Sequence, residues 1–394
     1  MGLQQPCRRF VEIHDQQRNL ISTRFSQNGD SATSRRFYLG IGYFKSRVKP
    51  LFGSATMVPA KTILVLFLVL LATAASLRAQ TYDHGPIFSV VEENDLIVDT
   101  DRHYTQGIKL SYIHSDGFLP GWSCNIYERL PDIGFTKKVG RLGYEVGQNI
   151  YTPSDIDAPQ LLENERPYGG WLYVGMILQR RGMDWFDYPA LESFQLDIGV
   201  IGPWALGKEA QTWVHELRDF DLPQGWDNQL ENEPGIQFKY LRSARYSFLK
   251  LHPLNLEFIP HGGFSLGNVE TTARLGGQIR FGFNLPDDFG IQTIDSLATT
   301  SGGYSTNHIH SRWGAYVFAE SEGKFVLHNV FLDGNLFHSS HSVEKEDWVG
   351  DFKAGFVFVL NRVELGYTYV FRTPEWRGQN KSDSFGSIFV KVKF

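Results

Sequence analysis

The chain has 394 residues, a formal net charge of −5, two cysteines and 14% aromatic side chains. Residues 1–79 hold 11 Lys/Arg against 3 Asp/Glu, so removing their net +8 leaves −13 on residues 80–394. That balance excludes the basic face that nucleic-acid binding requires, and it suits a surface that recruits divalent cations.

The first element in chain order is the apolar run 62–77, TILVLFLVLLATAASL, with Lys61 before it and small residues up to Ala79 after it. A basic start, an apolar middle and small residues at the cut are the layout of a secretory signal peptide. A run of sixteen is short for a spanning helix, which needs about 20 residues. The expected organisation is therefore a non-native extension over 1–56, a signal peptide over 57–79 starting at Met57, and one β-barrel domain over 80–394. Cys7 falls in the discarded part, so Cys124 is expected to stand alone, without an intramolecular disulfide.

Beyond residue 80 the sequence alternates at period two. In SFQLDIGVIG (193–202), Phe194, Leu196, Ile198 and Val200 oppose Gln195, Asp197 and Gly199. In QIRFGFNL (278–285), Ile279, Phe281 and Phe283 oppose Gln278, Arg280 and Gly282. In ELGYTYVF (364–371), Leu365, Tyr367, Tyr369 and Phe371 oppose Glu364, Gly366 and Thr368. Aromatic-rich segments of this kind are the pattern of an antiparallel transmembrane β-barrel, apolar side out and polar side in. The expected strands are 84–93, 105–115, 140–149, 169–181, 191–201, 236–248, 253–264, 273–284, 312–324, 345–360, 362–372 and 384–394, about twelve in all. The last closes on Phe394, which resembles the assembly signal of bacterial outer-membrane proteins, so the barrel-assembly machinery is an expected partner. An even count puts both termini in the periplasm. The extracellular loops then fall near 94–104, 150–168, 202–235, 265–272, 325–344 and 373–383.

Three segments depart from the alternation, all in the first three of those loops or at their strand edges. ENDLIVDTDRHYTQG (93–107) places Asn94 and Asp95 at the end of the first strand and Thr105 at the start of the second. GQNIYTPSD…ERPYGGWLY (147–173) follows. In QTWVHELRDFDLPQGWDNQ (211–229) the period turns helical, with a short helix expected from about Lys208 to Asp219. Gln211 and His215 are four apart on one face of that helix, and Asp221 follows past its end. These residues can support metal-assisted hydrolysis. Ca²⁺ takes oxygen ligands, which Asp95 and Asn94 offer. A neutral His215 can take a proton from water while Asp221 fixes its tautomer. The substrate of such a site at the outer leaflet would be a lipid ester.

Each segment also has a plainer reading: Asn-Asp as turn chemistry, the histidine as a surface or packing residue, Arg-Pro-Tyr-Gly-Gly-Trp as a tight turn with an interfacial anchor, and Gly225-Trp226 as an anchor for its loop. Two further motifs are weaker. GFSLG (263–267) matches a serine-hydrolase pattern around Ser265 but is flanked by strands, not by the strand–turn–helix that it needs. His308 and His310 share a strand face and could bind zinc, in an expected periplasmic loop.

Together, the set NDxxxxxDRxYTxG, QxIYTPxD…RPYxGWLY and AQxxxH…GWDNQ resembles the lipid A 3′-O-deacylase family of Gram-negative outer membranes. The resemblance covers about residue 86 to the C-terminus and is densest over 90–235. It implies a twelve-stranded barrel that hydrolyses the 3′-acyloxyacyl ester of lipid A with Ca²⁺, from a site at the extracellular end. It implies roles for Asn94, Asp95, Thr105 and Gln211, and a catalytic His215. The family's acidic residue six after the histidine is a Glu; here it is Asp221. A family lysine of the second outer loop has no counterpart near 154–160, where Arg166 is the nearest cation; bound Ca²⁺ or Arg102 of the first loop is expected to substitute for it. A phospholipase-type esterase and a non-catalytic pore or adhesin are the rival readings.

Overall fold

The computed structural model describes residues 85–95, 103–251, 253–294 and 313–394. The 1–56 extension, the signal segment, Arg102 and the His308–His310 pair lie outside the described residues. Twelve strands are present. They are β1 Ile87–Asn94, β2 His103–Ile113, β3 Thr136–Thr152, β4 Gly169–Met183, β5 Pro189–Ile201 and β6 Glu233–Ala244, which resumes past Arg245 as Tyr246–Leu251. Then follow β7 Leu254–Gly267, β8 Glu270–Phe283, β9 Trp313–Asn329, β10 Trp348–Leu360, β11 Val363–Arg372 and β12 Asp383–Lys393. Both segments of β6 pair with β7, so they are one strand broken at a single residue. Each strand pairs antiparallel with its chain neighbours, and β1 pairs with β12 from Ile87↔Lys393 to Asn94↔Gly386, which closes the barrel. Closure leaves no free edge.

Burial is inside out. Gln195 and Asp197 are buried while Leu196 and Ile198 are exposed; Gln278 and Arg280 are buried while Ile279 and Phe281 are exposed. Glu364 and Thr368 are buried while Leu365 and Tyr369 are exposed. The outward row is the apolar belt of a membrane barrel, and the inward row is polar. Inside, carboxylates meet cations: Lys239–Asp197 at 2.9 Å, Lys391–Glu364 at 2.8 Å, Arg280–Glu257 at 2.7 Å and Lys324–Asp351 at 2.9 Å. Buried charges without such partners would be costly, by several kcal/mol each.

The lumen is also filled by chain. After β8 the segment 284–294 turns inward, and Leu285, Ile291 and Ile294 pack on Val91, Phe318 and Phe389. The Lys109 ammonium donates to the carbonyls of Thr293 and Ile294 at 3.2 and 3.0 Å, and the Ile294 amide donates to Glu93 at 2.8 Å. Glu93 is next to the last residue of β1, so this plug runs most of the barrel's length. It fills lumen space that a conducting pore would need.

Two helices of more than one turn are described: α1, Gly121–Arg129, and α2, Gly207–Arg218; a single turn, α3, spans Val330–Asp333. α1 lies at the end where β1 begins and β12 finishes, and α2 at the opposite end. At the α2 end the connection expected over 265–272 shrinks to Asn268 and Val269. Cys124 lies on α1, and Cys7, the other cysteine, lies outside the described residues.

Candidate functional site

The helix is where the period changed: the expected 208–219 is observed as Gly207–Arg218. Its buried row is Gly207, Gln211, Val214 and His215, with Gln211 and His215 each 1% exposed. It packs on β3 and β4. The face it covers is the outward one. Asn149, Tyr151, Trp171 and Tyr173 line the lumen cavity, so alternation turns Gln148, Ile150, Gly170 and Leu172 outward. Gln148 holds the Ala205 carbonyl at 2.6 Å, just ahead of α2. A Cβ on Gly170 would meet the Ala205 Cβ at 3.0 Å and the Gly207 amide nitrogen at 3.4 Å. Gly170 of RPYGGWLY thus lets the start of α2 lie close against the wall.

Trp226 fixes the helix from behind. It is 1% exposed and packs on Ile150 and Tyr168, with 4.9 Å between the Tyr168 and Trp226 ring centroids. It is a core residue that anchors its loop. Its indole Nε1 donates to Oε1 of Gln211 at 2.9 Å. An indole N–H can only donate, so the accepting atom is the amide oxygen and the Gln211 NH₂ group is the other end. That Nε2 is buried and has no hydrogen-bond partner in the protein.

His215 is oriented by backbone. Its Nδ1 lies 2.5 Å from the Asp221 carbonyl oxygen. A carbonyl accepts, so Nδ1 carries a proton, and in the neutral ring Nε2 keeps its lone pair. The geometry arises because Asp219 ends α2 in the left-handed region, φ 62°, and turns the chain back. The ring's partner is the main-chain carbonyl of Asp221, and Asp221 is exposed. The structure therefore assigns orientation of the histidine to a main-chain atom, where the sequence suggested the side chain.

Asn94, Asp95 and Thr105 sit at the same end of the wall, on strands β1 and β2. Glu93 points into the lumen, so Asn94 points outward, yet Asn94 and Asp95 are each 1% exposed. Thr105 occupies a bulge: Tyr104 pairs with Tyr151 and Gln106 with Ile150, leaving Thr105 as the extra residue. A bulge re-aims a side chain at a barrel rim. Thr105 Oγ1 lies 2.7 Å from Thr152 Oγ1 on β3, the strand that carries α2. All six candidate residues therefore belong to one end of β1–β4 and the helix beside it, though Asp221 contributes its carbonyl.

Asp95 and Asn94 offer a carboxylate and an amide oxygen, the donor type that Ca²⁺ prefers. Among the described residues no group of three or more His, Cys, Asp or Glu could hold a metal ion. A cation at Asp95 would have to complete its shell from amide, hydroxyl and backbone oxygens. That fits Ca²⁺ and does not fit a nitrogen- or sulfur-loving metal.

The surroundings hold features that the sequence did not announce. His103 contacts Asp383 through Nδ1 at 2.7 Å and Glu165 through Nε2 at 3.2 Å. The Ser154 hydroxyl donates to Glu165 at 2.9 Å. Burial pushes the Glu165 carboxyl up, but His103 and Ser154 outweigh it and hold it below its usual range. Arg166, the cation nearest to the family lysine's place, is fully buried, donates to Glu375 at 3.2 Å and stacks over Tyr151. It is structural. Ser265 is buried within β7, its hydroxyl has no hydrogen-bond partner, and a strand follows where the serine-hydrolase pattern needs a helix.

The family model of outer membrane protein LpxR matches residues 64–394. The chain belongs to the LpxR outer membrane protein family. Among solved structures it is similar to LpxR from Salmonella typhimurium, at 21% identity and a TM-score of 0.62, over 78% of this chain and 100% of that one. The β domain of the Bordetella autotransporter BrkA is more distant, at 8% identity and a TM-score of 0.41, over 79% of this chain and 100% of that one. No curated protein sequence matches the chain. The LpxR match agrees with a closed twelve-stranded barrel bearing short helices, and it places the chain in the outer membrane.

Proposed function

We propose that this LpxR-family barrel is a lipid A deacylase that hydrolyses the 3′-acyloxyacyl ester, with its α2 end facing the cell exterior. The observation that carries the reading is the tautomer of His215: a main-chain carbonyl holds the Nδ1 proton and leaves Nε2 as a base on the outward, lipid-side face of the wall. Nε2 takes a proton from water as the water oxygen bonds to the ester carbonyl carbon. The bond from that carbon to the sugar oxygen then breaks, and the imidazolium returns its proton to the departing oxygen. The products are lipid A with a free 3′-hydroxyl and the acyloxyacyl carboxylic acid.

The Gln211 NH₂ group, fixed by Trp226, is the donor placed to stabilise the oxyanion. Thr105 and Asn94 position the ester from the strand side. Ca²⁺ would be held through Asp95 and Asn94, and when bound it supplies polarisation of the carbonyl. Mass spectrometry of lipid A incubated with the refolded barrel tests the reading: loss of one acyloxyacyl unit is expected, and unchanged lipid A from a folded barrel contradicts it.

A further inference from the structure

α2 has a third face. Leu206, Trp213, Leu217 and Phe220 recur at spacings of seven, four and three, so they form one row along the helix and its C-terminal cap. They are 50%, 63%, 54% and 45% exposed, and Trp204 just before them is 68% exposed. The buried row of Gln211 and His215 faces the wall, and Lys208 and Glu216 are exposed beside it. A helix with one polar row and one exposed aromatic row is built to lie in a membrane interface. The apolar row is also continuous with an interface already established. α2 rests on the outward face of β3 and β4, whose Val146 and Val174 belong to the lipid-facing belt, as does Ile198 on β5. Tryptophan at the end of such a belt sits at headgroup level.

We propose that α2 is an interfacial membrane helix whose Leu206–Trp213–Leu217–Phe220 row is seated in the headgroup–acyl boundary of the lipid leaflet at that end of the barrel. The consequence for the site, which rests on the deacylase reading above, is that a lipid reaches His215 sideways from the leaflet and never leaves the bilayer.

The test uses the full chain in phosphatidylcholine vesicles whose acyl chains are brominated near the headgroup. Bromine quenches only tryptophans in contact with lipid. Trp213→Phe is expected to lower the quenched fraction of the emission relative to wild type; an unchanged or larger quenched fraction overturns the proposal. A second variant, Leu217→Cys carrying an environment-sensitive dye, is expected to be protected from aqueous iodide and quenched by bromine. Iodide access overturns the proposal. So does protection from iodide without bromine quenching, which is the result of a second copy of the chain covering the row. Neither readout needs hydrolysis, so failure of the deacylase reading leaves this test intact.

Discussion

The indole of Trp226 donates to the amide oxygen of Gln211 across 2.9 Å, and this one contact decides which end of the glutamine faces the candidate site. Trp226→Phe would keep most of the packing on Tyr168 and Ile150 while freeing the amide to turn. The expected result is a fall in kcat of about tenfold with little change in KM, smaller than the loss of about 10²–10³ expected for Gln211→Ala as an oxyanion donor. A Trp226→Phe enzyme with unchanged kcat would show that Gln211 needs no such fixing.

Asp221 reaches His215 through its carbonyl, so its side chain is expendable. Asp221→Ala should hydrolyse lipid A at close to the wild-type rate. Asp219→Val should not: it forces a β-branched residue into the left-handed region at φ 62°, at a cost of about 1–2 kcal/mol, and moves the carbonyl that holds the ring. Rates of the two variants, compared at equal folded fraction, separate the roles. A loss of about 10²-fold or more in Asp221→Ala would restore the carboxylate to the mechanism.

Gly225 lets the third loop close on the second. A Cβ there would meet the Tyr168 ring at 2.5 Å and the Ala158 carbonyl at 2.9 Å. Its φ of −92° is ordinary, so the constraint is space alone. Gly225→Val should displace Trp226 and impair hydrolysis while the barrel stays folded. The check is to pair the rate with heat-modifiable mobility on a gel; loss of the barrel band would mean that the loops also support the strands.

The Glu165 contacts tie the second loop to β2. Its folded pKa is depressed below the ordinary 4.5, so it stabilises the loop above that value and the contribution is lost as pH falls through the folded pKa. Protease nicking of residues 153–168 should therefore rise on acidification below about pH 4.5, and Glu165→Gln should show the acid level of nicking already at pH 7. Equal nicking of both proteins at pH 7 would remove the latch.

Most of the barrel was readable because lipid outside and polar lumen inside impose a strict two-residue period, as in Leu196 against Asp197. The period fails where polarity ceases to mark loops. Glu270, Thr271 and Thr272 read as a loop, but they lie in β8, where Thr272 fills a polar interior. The plug was missed because Leu285, Phe289, Ile291 and Ile294 bury their side chains from irregular chain and carry no period. At the site, helix spacing made Gln211 and His215 legible as a pair. The bulge at Thr105 and the carbonyl of Asp221 were not, since backbone atoms are the same for every residue. His103 between two carboxylates joins partners that are 62 and 280 residues away, a distance that no local pattern spans.

The central claim is that His215 is the base of a Ca²⁺-assisted lipid A deacylase. The most direct measurement is mass spectrometry of lipid A after incubation with wild type and His215→Ala, each with Ca²⁺ and with EDTA. The account predicts loss of the 3′-acyloxyacyl unit in the wild type with Ca²⁺ alone, and a rate at least about 10²-fold lower in His215→Ala. Release of the acyl unit by a folded His215→Ala barrel, or equal release in EDTA, would contradict it.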